Sequence, residues 1–109
     1  MAYNQDLAER IREQLASLQP YTEKSMFGGI AFFIGGNMAC GVSGDTLMVR
    51  VGPARYEAAL GRQHARPFDM TGRPMKGWVG VDPEGYASDE SLVSWIRQGV
   101  EFAASLPPK

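Results

Sequence analysis

Residues able to do covalent or acid-base chemistry are sparse in this sequence, and none stands beside an evident partner. His64 is the one histidine among 109 residues, in Gly61-Arg62-Gln63-His64-Ala65-Arg66; two flanking arginines disfavour its protonated form, so it reads as a surface residue and not as a base. Cys40 is the one cysteine, at an inward-facing strand position with no helix N-terminus to lower its pKa, and reads as a buried inert thiol. One Cys and one His leave no recognisable zinc cluster. Gly41-Val42-Ser43-Gly44 begins like a nucleophile elbow, but G-x-S-x-G needs glycine where Asp45 stands, and a strand follows instead of a helix. Acids such as Asp82 and Glu84 are scattered and form no carboxylate constellation. The prediction is a protein with no catalytic residue, no bound metal and no cofactor.

Glycine is the other residue type that could bind a ligand, through loops that hold phosphate on backbone N–H groups. Two Gly-Gly pairs, Gly28-Gly29 and Gly35-Gly36, lie seven positions apart in an otherwise apolar stretch. Neither belongs to G-x-x-x-x-G-K-[ST] or G-x-G-x-x-G, and neither opens a helix whose dipole would favour an anion. Gly35-Gly36 falls between two period-two runs at hairpin spacing, where a primed turn needs positive φ. Gly28-Gly29 runs straight into a strand, and the expectation there is a bulge or a close-packing point under a crossing helix. Both pairs therefore read as shaping a sheet.

The elements that would position these residues follow from hydrophobic period. Residues 4–18 have Leu7, Ile11, Leu15 and Leu18 at helical spacing, with Asn4 as cap and Pro20 as stop. Three strands of a meander come next: Ile30, Phe32 and Ile34; Met38, Cys40 and Val42; Leu47, Val49 and Val51, with Ser43-Gly44-Asp45 as the second turn. Gly52-Pro53 opens a short helix that Gly61 ends. A second extended pair, 66–70 and 75–81, surrounds Thr71-Gly72-Arg73-Pro74, and its prolines favour an edge. The last helix starts near Ser88 and buries Leu92, Val93, Ile96, Val100 and Ala103. The expected fold is α+β, one domain over 1–109, in the order α-β-β-β-α-β-β-α, with an antiparallel sheet and helices mainly on one face.

Composition is that of a globular chain, at 44% hydrophobic and 21% charged residues. No stretch is long enough to span a bilayer and the first residues lack a signal-peptide core, so the expected location is the cytoplasm, without membrane association. A single cysteine fits that reducing compartment.

Net charge is −1, unevenly spread. Residues 50–76 hold six basic side chains, Arg50, Arg55, Arg62, Arg66, Arg73 and Lys76, against two acidic ones, whereas both flanking segments are acidic. The plain reading pairs these cations with the acidic ends; the functional one makes Arg50, Arg66, Arg73 and Lys76, with Phe68 on an edge strand, a contact surface for an acidic partner. Phe27, Phe32, Phe33, Phe68, Trp78, Trp95 and Phe102 read as core, and only Arg50, Phe68 and Trp78 fit a base-stacking platform.

Lys24-Ser25-Met26-Phe27-Gly28-Gly29-Ile30, Thr46-Leu47-Met48-Val49-Arg50-Val51, Pro67-Phe68 and Gly72-Arg73-Pro74-Met75, at these distances, resemble the N-terminal domain of the TfoX/Sxy family over nearly the whole chain. The resemblance gives Met26, Phe27, Gly28, Gly29, Pro67 and Met75 as motif positions of structural importance and implies the same order of elements. Full-length members regulate natural competence together with the cyclic-AMP receptor protein and carry a second helical domain; this sequence reads as a stand-alone copy of the first. The resemblance transfers no catalytic residue. It implies a regulatory or adaptor module that binds a protein partner, with a homodimer left open. The alternative is direct nucleic-acid binding through the basic segment, which a sequence pI near 5.8 disfavours.

Overall fold

Asn4 sets the first helix by accepting a hydrogen bond from the Leu7 N–H, and α1 then runs from Gln5 to Ala16 with Leu7, Ala8, Ile11 and Leu15 on its buried stripe. This is a computed structural model; it describes residues 3–26, 28–69 and 74–108, without the side chains of Met26, Asp69, Pro74 and Met75. After α1 come β1 (Thr22–Met26), β2 (Gly29–Ile34), β3 (Asn37–Ser43) and β4 (Thr46–Arg50). A short 3₁₀ turn at Pro53–Arg55 leads into α2 (Tyr56–Leu60), followed by β5 (Ala65–Asp69), β6 (Pro74–Val81), α3 (Pro83–Tyr86) and α4 (Asp89–Ser105). The six strands form one antiparallel sheet in the order β1-β2-β3-β4-β6-β5, so the expected α+β class and single compact domain are observed.

One strand is additional to the sequence reading. β1, Thr-Glu-Lys-Ser-Met, has no alternation of apolar residues because it is an exposed edge strand, held by its ladder to β2. Arg12 of α1 fastens it from outside, with Nε and Nη2 each 2.9 Å from a Glu23 carboxylate oxygen while Nη1 also meets Glu9. The hydrogen bonds from Arg12 hold the Glu23 carboxyl below its usual range, so their contribution is present above the carboxylate range and is lost as pH falls through the lowered value.

Register explains the core. Ile30, Val42, Leu47 and Val81 line up across neighbouring strands, as do Phe32, Cys40, Val49 and Val79, and all eight are buried on the face covered by helices. α4 lies on β2, β3 and β4, and α2 on β5 and β6. The buried stripe of α4 uses Trp95 and Gly99 beside Leu92, Ile96, Val100 and Ala103, and Val93 is only half-buried. Gly99 is there because the helix rides on the β3 backbone: a Cβ would strike the Ala39 carbonyl. Ala39 is the extra residue of a bulge, since Phe32 pairs with Cys40 but Phe33 with Met38.

The two Gly-Gly pairs do shape the sheet, by different means. Gly35 and Gly36 have φ of 58° and 83° between Ile34 and Asn37, the signature of a two-residue type I′ turn. Gly36→Val is accordingly expected to cost about 1–3 kcal/mol in a denaturant titration, and an unchanged midpoint would contradict the turn assignment. Gly28, at φ 74°, belongs to the two-residue link between Met26 and Gly29. Gly29 corrects the expected crossing helix: a Cβ there would meet the backbone carbonyl of Val42 on the neighbouring strand. Buried Asn37 closes this end of the molecule, its Nδ2 donating to the Pro107 carbonyl at 3.0 Å.

Candidate functional site

Cys40 and His64 lie in different surroundings, one in the core and one at the surface. Cys40 is fully buried on the core face, and burial pushes its thiol up to about 12. In the folded protein it is expected to resist alkylation at pH 8 and to react once denaturant is added; labelling of the native protein at the rate of a free thiol would contradict its placement. His64 is exposed. Among the described residues no three His, Cys, Asp or Glu side chains are grouped to hold a metal ion, and no helix is long and apolar enough to cross a membrane.

Among the described residues, the basic segment divides into cations with a carboxylate partner and cations without one. Arg55 reaches Glu101 at 2.8 Å, and Arg66 reaches Asp82 at 3.1 Å and the Thr46 hydroxyl at 2.9 Å. Both carboxylates come from the acidic last third of the chain, so the plain reading holds for these two arginines. Arg66 can lie across the sheet because Gly80, opposite it on β6, has no side chain: a Cβ there would approach the Thr46 methyl to 3.1 Å and the arginine Nη1 to 3.3 Å. Such exposed pairs contribute about 0–1 kcal/mol each, so they occupy the arginines without fixing the fold.

Arg50 is different. It ends β4 opposite Trp78 of β6, and its guanidinium carbon lies 5.7 Å from the Trp78 ring and 5.2 Å from the Phe102 ring of α4. All three side chains are half-buried, and no carboxylate pairs with Arg50 among the described residues. Aromatic faces stabilise a cation there without neutralising it. Just beyond, Val51 and Gly52 both donate to the Gly77 carbonyl, at 2.8 and 3.0 Å, so the strand bulges and turns away next to the arginine. Gly52 has φ of 86°, and a side chain on it would enter the Phe102 ring.

Lys76 is exposed, two positions before Trp78 on β6, and has no ion pair among the described residues. Arg73 and Phe27 lie outside the described residues, as do the side chains of Met26 and Met75. Phe68 is 7% exposed, which leaves little of its ring at the surface, and Pro67 sits on edge strand β5, where a missing N–H is tolerated. The structure thus brings Arg50 together with Trp78 and Phe102, and ties Arg66 to Thr46 and Asp82.

A family model described as the TfoX N-terminal domain matches residues 13–103. The chain belongs to this family. Comparison with curated proteins and with solved structures returned no match. On the TfoX N-terminal domain fold, the described part of the motif element at 24–30 therefore falls on the edge strand β1, Gly28 and the start of β2, and the element at 46–51 is the strand that delivers Arg50. Sequence reasoning missed the Phe102 contact with Arg50 and the Arg62 contact with Trp95; pairs this distant in the chain leave no periodic signal.

Proposed function

We propose that this TfoX N-terminal domain is a cytoplasmic, non-catalytic regulatory or adaptor module that works by binding a protein partner through the surface around Arg50, Trp78 and Lys76. The observation that carries the reading is Arg50 itself: a half-buried cation held between two rings, with no carboxylate partner among the described residues. A carboxylate from another protein would complete that cluster, and aromatic residues with arginine are the side chains that most often dominate protein interfaces. Family membership supports a regulatory role, and near-neutral net charge favours a protein over nucleic acid.

Direct nucleic-acid binding is the second reading, favoured by the same juxtaposition of guanidinium and ring, because half-exposed aromatics can stack on bases. Fluorescence polarisation with a labelled single-stranded oligonucleotide separates the two. The protein-partner reading predicts no saturable binding at about 150 mM salt, where nonspecific phosphate attraction is weak. Saturable binding lost on Trp78→Ala would establish the nucleic-acid reading instead.

A further inference from the structure

A second set of donors converges away from Arg50. The turn after α2, the single-turn α3 and the first turns of α4 enclose an open pocket of about 330 Å³ lined by Arg62, Gln63, His64, Glu84, Gly85, Ser91 and Trp95. Trp95 is 1% exposed and forms its floor, with the Arg62 guanidinium carbon 3.8 Å from the ring centroid. Burial alone lowers the pKa of Arg62, and no carboxylate contributes to offset it. No acceptor within the described residues takes a hydrogen bond from the Arg62 guanidinium, the His64 ring or the Ser91 hydroxyl.

The backbone aims His64 at this place. His64 has φ of 67°, the one positive value on a non-glycine residue among those described, and its carbonyl accepts from the Asp82 N–H at 3.0 Å. Gly85 lets α3 close onto it: a Cβ there would come 2.9 Å from the His64 Cβ and 2.5 Å from the Val81 Cγ1. A left-handed backbone on a residue with a side chain is costly and persists only where its surroundings hold it, and such positions cluster at ligand sites.

We infer that this pocket binds a small molecule through a phosphate or carboxylate group, with Arg62, His64 and Ser91 as donors and the Trp95 face beneath. A guanidinium beside an imidazole and a hydroxyl matches a compact oxyanion, and the volume lies at the small end of ligand pockets. Glu84 on the rim opposes the anion and tunes its affinity. This site is independent of the partner surface proposed above.

The test is titration of the full chain with inorganic phosphate and, separately, with acetate, followed by ¹H–¹⁵N spectra at constant ionic strength kept with chloride. Saturable shifts are expected at the Arg62 side chain and at the amides of His64 and Ser91, and the tighter of the two anions identifies the group preferred. Because Arg62 covers Trp95, two further variants carry the assignment without touching that contact. His64→Asn keeps a residue that tolerates positive φ and should weaken binding by about threefold, whereas Glu84→Gln should tighten it by about twofold, the size of one partly screened charge or hydrogen bond. Shifts absent up to about 50 mM of either anion, an affinity weaker than any useful site of this kind, would overturn the inference. So would affinities unchanged in both variants.

Discussion

Gly99→Ala is expected to destabilise the domain, although glycine to alanine inside a helix normally stabilises it by up to about 1 kcal/mol. The sign reverses because α4 touches β3 at this point: an added Cβ would run into the Ala39 carbonyl and come within 3.5 Å of Val49 Cγ1. Ala39 cannot retreat, being the bulged residue between Met38 and Cys40 on β3, an interior strand with a neighbour on each side. Either the helix lifts, opening space around Ile96, Val100 and Ala103, or the strand deforms. Overpacking of this kind costs about 1–3 kcal/mol for one carbon, and Gly99→Val should exceed that and remove cooperative unfolding. Chemical denaturation reads the result directly, and an alanine variant with a raised midpoint would mean that helix and sheet stand further apart than described.

The second large effect is expected at Trp95. Its ring is buried against the sheet side of α4 and is covered by Arg62, so Trp95→Ala removes the largest fully buried side chain. Truncations of that size cost about 3–5 kcal/mol. Since the ring is also what Arg62 rests on, Arg62→Gln should cost about 0.5–1 kcal/mol in the original protein and almost nothing in the Trp95→Ala background. Additive losses in the double variant would show that the arginine is stabilised by something other than the ring.

Which parts of this fold were legible in the sequence follows from where each part stores its information. Strands β2, β3 and β4, the type I′ turn at Gly35-Gly36 and most of the stripes of α1 and α4 are written in local period and in glycine chemistry, and they stand where that pattern places them, except that Leu18 falls beyond the end of α1 and Val93 is half-buried. β1 was illegible because an exposed edge strand keeps both faces polar, so Thr22 to Ser25 show no alternation. Gly29 was legible as a tight spot, but not its cause, since the neighbour that crowds it is Val42, brought alongside by the β2–β3 register. The same holds for the basic segment. Six cations within 50–76 could be counted, yet only the fold reveals that Arg55 and Arg66 face Glu101 and Asp82 while Arg50 is left between Trp78 and Phe102.

That division is also what makes the proposed function testable, because arginines with and without a carboxylate partner among the described residues serve as each other's controls. The decisive measurement is the affinity of a partner recovered with the purified domain, determined by calorimetry for the original protein, for Arg50→Gln combined with Lys76→Glu, and for Arg55→Gln. Melting temperatures are recorded alongside to keep folding and binding apart. The Arg50 and Lys76 double variant should lose about tenfold or more in affinity, as expected for truncating a desolvated interfacial charge. Arg55→Gln should bind and melt as the original does, as an exposed charge allows, whereas the double variant gives up the two ring contacts of half-buried Arg50 and should melt several degrees lower while remaining folded. Equal affinity in the double variant, or a loss confined to Arg55→Gln, would contradict the account.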